Sequence, residues 1–100
     1  MYVILTSKTG RFHTEPVAGV TPVEAYDYLF YGKKTAHFVI AELADDARNV
    51  KVRVVEAPPS TTVNLVPTKF LEKFDTLDAA RAELRQLATF GSMDLRLERV

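Results

Sequence analysis

Tyr2 to Ser7 is apolar on both of its alternating sides, with Tyr2 and Ile4 on one and Val3 and Leu5 on the other. A strand patterned in this way is covered on two sides or lies centrally in a sheet. Lys8-Thr9-Gly10 reads as a turn, and residues 11–15 return as a short strand that Pro16 ends, because proline has no N–H to give a ladder. Ala36 to Leu43 repeats the two-sided pattern, with His37, Val39, Ala41 and Leu43 opposite Phe38 and Ile40. Asp45 to Asn49 is a turn, and Val50 to Val54 then alternates as a strand with one wet face does. Pro58-Pro59-Ser60 breaks it, Thr61 to Val66 reads as a short strand, and Phe70, Leu71 and Phe74 suggest one or two helical turns. Met93 to Glu98 closes the chain as an alternating strand.

Two helices are predicted between these strands. Thr21-Pro22-Val23-Glu24 has the form of a capping box with proline at the first helical position, and Gly32 stands where a left-handed cap would end the helix. Val23, Tyr26, Leu29 and Phe30 would form its inner stripe. The second helix would start from Asp75 as N-cap and end at Gly91, with Leu77, Ala80, Leu84, Leu87 and Ala88 recurring at helical spacing. Its buried face is expected to hold Leu77, Ala80, Leu84 and Leu87, leaving Asp78, Arg81 and Arg85 in water.

The order strand, helix, strand, strand, helix, strand predicts one α+β domain over residues 1–100. It would be a mainly antiparallel sheet of four to six strands with two helices on one face, ferredoxin-like or a close variant. One feature sits badly with that plan. The two-sided run 36–43 falls on its edge strand, where only one covered side is needed. The alternative is a hairpin followed by a helix, a three-stranded meander, a helix and a last strand.

Composition narrows the chemistry. Thirteen basic and thirteen acidic residues cancel, and each half of the 100-residue chain is balanced to within one charge. A nucleic-acid surface needs a basic stripe to displace counterions, and the only basic pair is Lys33-Lys34. The strand 50–54 carries no aromatic on which a base could stack. No run approaches the roughly 18 apolar residues of a membrane span. With no cysteine, thiol nucleophiles and cysteine-ligated metals are excluded. The four glycines are scattered singly, so no phosphate loop can be written, and no serine stands in a nucleophile elbow. The opening residues lack the basic region of a secretory leader, and the setting expected is cytoplasmic.

Two groups of residues remain as candidates. Tyr28 and Tyr31, three apart, would share one face of the first helix and form a partner-binding surface, since tyrosine is enriched at interface hot spots. Tyr2, His13 and His37 would line a pocket if their segments converge. No catalytic residue, metal site or cofactor is expected. The reading is therefore a non-enzymatic interaction or accessory protein that acts through a protein partner or a homodimer, with no nucleic acid and no membrane. The alternative is a cofactor-free enzyme or small-ligand-binding domain of the dimeric α+β barrel type.

Overall fold

The computed structural model describes residues 1–44, 50–60, 62–87 and 95–100. Strands β1 (Tyr2–Lys8), β2 (Phe12–Glu15), β3 (Val20–Phe30), β4 (Lys33–Leu43), β5 (Lys51–Glu56), β6 (Val63–Pro67) and β7 (Leu95–Arg99) form one sheet in the order β6-β5-β2-β1-β4-β3-β7. Every neighbouring pair is antiparallel. Among the described residues there is one α-helix, α1 (Leu77–Leu87), and a 3₁₀ turn over Thr68–Phe70. The turn expected at 45–49 and the Gly91 cap lie outside the described residues.

The two strands with two-sided apolar patterns, β1 and β4, are the sheet's centre and pair with each other from Tyr2↔Glu42 to Lys8↔Ala36. Their alternate sides feed two cores. Val3 and Leu5 of β1 join Val20, Ala41, Leu43 and Val52 on the inner face. Tyr2, Ile4, Phe38, Ile40, Tyr26 and Tyr28 form the other face, against which Leu77, Ala80 and Leu84 of α1 pack. Thr76, one residue past the expected Asp75, caps α1: its hydroxyl accepts the Ala79 N–H at 3.1 Å.

The ferredoxin-like α+β plan does not form, because its first helix is a strand. Residues 20–30 are β3, paired with β4 along its length and with β7 over Tyr26–Phe30. The capping signals at Thr21, Pro22 and Glu24 amount to a local preference, about 0.5–2 kcal/mol for a cap, and they lose to two ladders of backbone hydrogen bonds. Read with a period of two instead of 3.6, the same segment places Glu24, Tyr26 and Tyr28 on the helix face and Ala25 and Asp27 on the inner face. Pro22 is accommodated where β3 has β4 on one side only, beside a bulge between Pro22 and Glu24. Gly32 ends no helix. Phe30 pairs with Lys33, leaving Tyr31 (φ 50°) and Gly32 (φ 78°) as a two-residue turn with both residues left-handed, the type I′ form that fits a twisted hairpin. Among the described residues the protein is thus a sheet-dominated fold with a single α-helix.

The sheet is nearly divided between β1 and β2, which pair only at Lys8↔Phe12. Beyond that point Ser7 Oγ accepts the Thr14 N–H at 2.9 Å, so a side chain bridges the gap where a ladder would run. Opposite the start of β1, the place of a neighbour is taken by Phe74, which exchanges two 2.8 Å backbone hydrogen bonds with Tyr2. The segment leading there packs Leu71 on the inner core and Phe74 on the helix-face core, closing both at one end.

Candidate functional site

The inner face is apolar through the row Leu5, Val39, Ala25 and turns polar in the next row, Ser7, His37, Asp27, which pair in register across β1, β4 and β3. His37 Nδ1 lies 2.8 Å from Asp27 Oδ1, and Lys34 Nζ lies 3.2 Å from the same oxygen. The hydrogen bond from His37 and the Lys34 ammonium hold the Asp27 carboxyl below its ordinary range, although burial opposes them. An ionised carboxylate only accepts, so Nδ1 carries the proton and Nε2 is left for another partner.

A cavity of about 330 Å³ opens at this end of the sheet. It is lined by Ser7, Lys8, Thr9, Gly10, Arg11, Phe12 and His13 from the first hairpin, by Lys34 and His37 from β4, and by Ala57 beyond β5. The lining carries three fixed cations and no carboxylate. His13 itself is 3.3 Å from Glu15, which also lies 3.6 Å from Arg53. A second cavity, about 630 Å³, shares Lys8, Gly10, Arg11 and Phe12 and continues to Val54, Glu56 and Asn64.

The structure therefore brings together two of the three pocket residues expected from the sequence. His13 and His37 line the same cavity. Tyr2 is at the opposite end of β1, across from Glu42, whose hydrogen bond, with help from burial and from its charge, raises the phenol above its ordinary range. Tyr28 and Tyr31 share no helix face. Tyr28 lies on the sheet beneath α1, with its ring edge-on to Phe38 at 6.0 Å, and Tyr31 forms the turn, edge-on to Phe30 at 4.6 Å and 62% exposed. Sequence reasoning missed Ser7 and Asp27 because their relation to His37 is a register across three strands. The cue that was present is the two-sided pattern of β1 and β4, which marks them as neighbours.

Ser7, His37 and Asp27 have the order of an acyl-transfer triad. Among the described residues, however, Ser7 makes no hydrogen bond to His37; its oxygen is engaged by the Thr14 N–H. Among the described residues no group of three or more His, Asp or Glu could hold a metal ion, and no helix is long and apolar enough to cross a membrane.

The two sheet edges differ in chemistry. β7 carries Arg96, Glu98 and Arg99, the kind of charge that discourages edge pairing. β6 is Val-Asn-Leu-Val-Pro, inside the uncharged run Ala57–Thr68. Its Val66 packs on the inner core, while Val63 and Leu65 alternate to the outer side and are 42% and 56% exposed. They adjoin Val55 and Arg53 of β5. Helix α1 packs chiefly on β1 and β4.

No family model, curated protein or solved structure matches this chain.

Proposed function

We propose that the protein is a non-enzymatic interaction module that associates with a second copy of itself through β6. The observation that carries this reading is the contrast between the edges: β7 is guarded by charge, and β6 offers unpaired backbone groups beside exposed Val63 and Leu65. The strand is also self-complementary. A two-fold axis through Asn64 sets Val63 of one copy beside Leu65 of the other, opposes no like charges, and leaves Pro67 outside the paired stretch. A cytoplasmic setting goes with this reading, supported by a fold that needs no disulfide to close its sheet.

Five residues of edge are a small interface, so the association is weak, with a dissociation constant on the order of 10 µM. Light scattering at about ten times that concentration should report a dimer. Leu65→Lys should return it to a monomer, since a charge on an edge is a natural guard against pairing. A wild-type monomer under those conditions would sink the reading. A dimer unmoved by Leu65→Lys but weakened by Tyr31→Ser would place the contact at the hairpin turn instead.

A further inference from the structure

The cavity between the first hairpin and β4 is independent of the β6 edge and presents a different chemistry. We propose that it binds a small phosphomonoester, with Lys8, Arg11 and Lys34 around the phosphoryl group and Ser7 and His37 beneath it.

Charge supplies the first argument. In a chain of zero net charge, this cavity collects three fixed cations and no carboxylate from two separate strands and a turn. Lys34 is engaged by Asp27, but Lys8 and Arg11 have no carboxylate partner among the described residues. Excess cations of this kind match a group of charge about −1.5 to −2, which a phosphate monoester carries near neutral pH and a carboxylate does not. Arg11 offers a planar fork for two phosphoryl oxygens, and Lys8 a mobile point charge.

Hydrogen bonding supplies the second. The Ser7 oxygen already accepts from Thr14, so its hydroxyl proton is the part left to give, and among the described residues it has no acceptor. His37 is turned by Asp27 so that Nε2 is the nitrogen without a partner among the described residues. A monoprotonated phosphate ester and Nε2 share one proton in one hydrogen bond, whichever of the two holds it. A carboxylate at neutral pH has no such proton to share. Phe12 and Ala57 add apolar wall for the organic part of the molecule, and about 330 Å³ is the low end of the range for small-molecule sites.

The test is a titration of the intact chain with phenyl phosphate, followed through the ring signals of the two histidines, with benzoate as the singly charged control. Phenyl phosphate should shift the His37 signals saturably, with a dissociation constant on the order of 1 mM, and benzoate should bind at least about tenfold more weakly. Arg11→Gln and Lys8→Gln, neither of which removes an ion pair among the described residues, should each weaken phenyl phosphate about tenfold. Inorganic phosphate should compete at the same place; if it binds as tightly as the ester, the organic part is not recognised and the ligand is free phosphate. No saturable shift, equal binding of benzoate, a shift confined to His13, or indifference to both substitutions would each overturn the assignment. An unchanged amide spectrum in the variants separates loss of binding from loss of fold.

Discussion

Arg81 reaches from α1 to the buried carboxylate of Glu24 on β3, placing its Nε 3.1 Å from both carboxylate oxygens. Tyr26 donates its hydroxyl to the same group, and Arg99 of β7 stands 3.6 Å away. One carboxylate therefore ties the helix, the long third strand and the last strand together. The expectation that Arg81 faces water fails for this reason. Its guanidinium is the principal counter-charge of this buried carboxylate, with the more exposed Arg99 standing farther off.

This relationship has a pH signature. The Arg81 hydrogen bond, then the Tyr26 hydroxyl, draw the Glu24 carboxyl down to about 2 against the opposing effect of burial. A group whose folded value is depressed contributes stability above its unfolded value, and that stability is lost as pH falls through the folded one. Denaturant midpoints should therefore decline from about pH 5 towards pH 2. Glu24→Gln should flatten that decline without abolishing it, because Asp27 is also held low and titrates in the same direction. An unchanged slope in the variant would show that Glu24 is not the group responsible.

Removing the cation should hurt more than removing helix propensity can explain. Arg81→Met keeps a good helix former but leaves the Glu24 carboxylate with only the Tyr26 hydroxyl and the farther Arg99, and we expect a loss of about 1.5–3 kcal/mol in urea titration at pH 7. At about pH 2, where Glu24 is approaching neutrality, the same substitution should cost markedly less.

The helix face can be tested with two leucines one turn apart. Leu84 is buried between α1 and the sheet, whereas Leu87 is 40% exposed at the helix end. Leu84→Ala should cost about 2–5 kcal/mol and Leu87→Ala no more than about 0.5. Equal losses would mean that the helix is rotated from the orientation described above.

The turn at the end of β3 gives the sharpest separation between the strand and the helix read from local signals. Tyr31 holds a left-handed conformation that Asn adopts more readily. Tyr31→Asn should stabilise the fold by up to about 1 kcal/mol, even though it gives up the ring contact with Phe30. Gly32→Ala should destabilise by about 1–2 kcal/mol, since a Cβ there meets open space but the positive φ remains. Loss of stability in both variants would argue against the type I′ turn.

How much of this was written in the sequence depends on how far apart the interacting residues lie. The strand at Tyr2–Lys8, the first hairpin and the helix through Leu84 are legible because periodicity and turn residues within a short window specify them. The central place of β4 was also visible, as the two-sided run that the ferredoxin-like plan put at an edge. Residues 21–31 misled because Thr-Pro-Val-Glu is a good helix start in isolation, and because apolar spacing in Val23, Tyr26, Leu29 and Phe30 satisfies a helical stripe. Pairing with β4 and with the distant β7 decides between the two periods, and no helix-length window contains both partners. The site is similar. Two histidines were recognisable as candidates, but the Asp27 that orients one and the Ser7 beside it are set by register alone. Leu87, expected in the core, shows the same limit: helical spacing says which side it faces, but not that it stands at the helix end beside a cavity over Ile4 and Thr6, 40% exposed.

The pairing of β3 with β7 has a consequence for how the chain is made. Phe30 pairs with Leu95, so the strand that carries Tyr26 and Tyr28 leaves the ribosome long before the one that closes its outer side. Synthesis runs at about 5–20 residues per second, so that side stays uncovered for several seconds in every molecule produced. During that interval the nascent protein has a second open edge, next to a row of aromatic rings that α1 has not yet covered. A stall before α1 is complete would leave those rings bare as a ready seed for aggregation, and one between α1 and β7 would still leave the outer edge of β3 open.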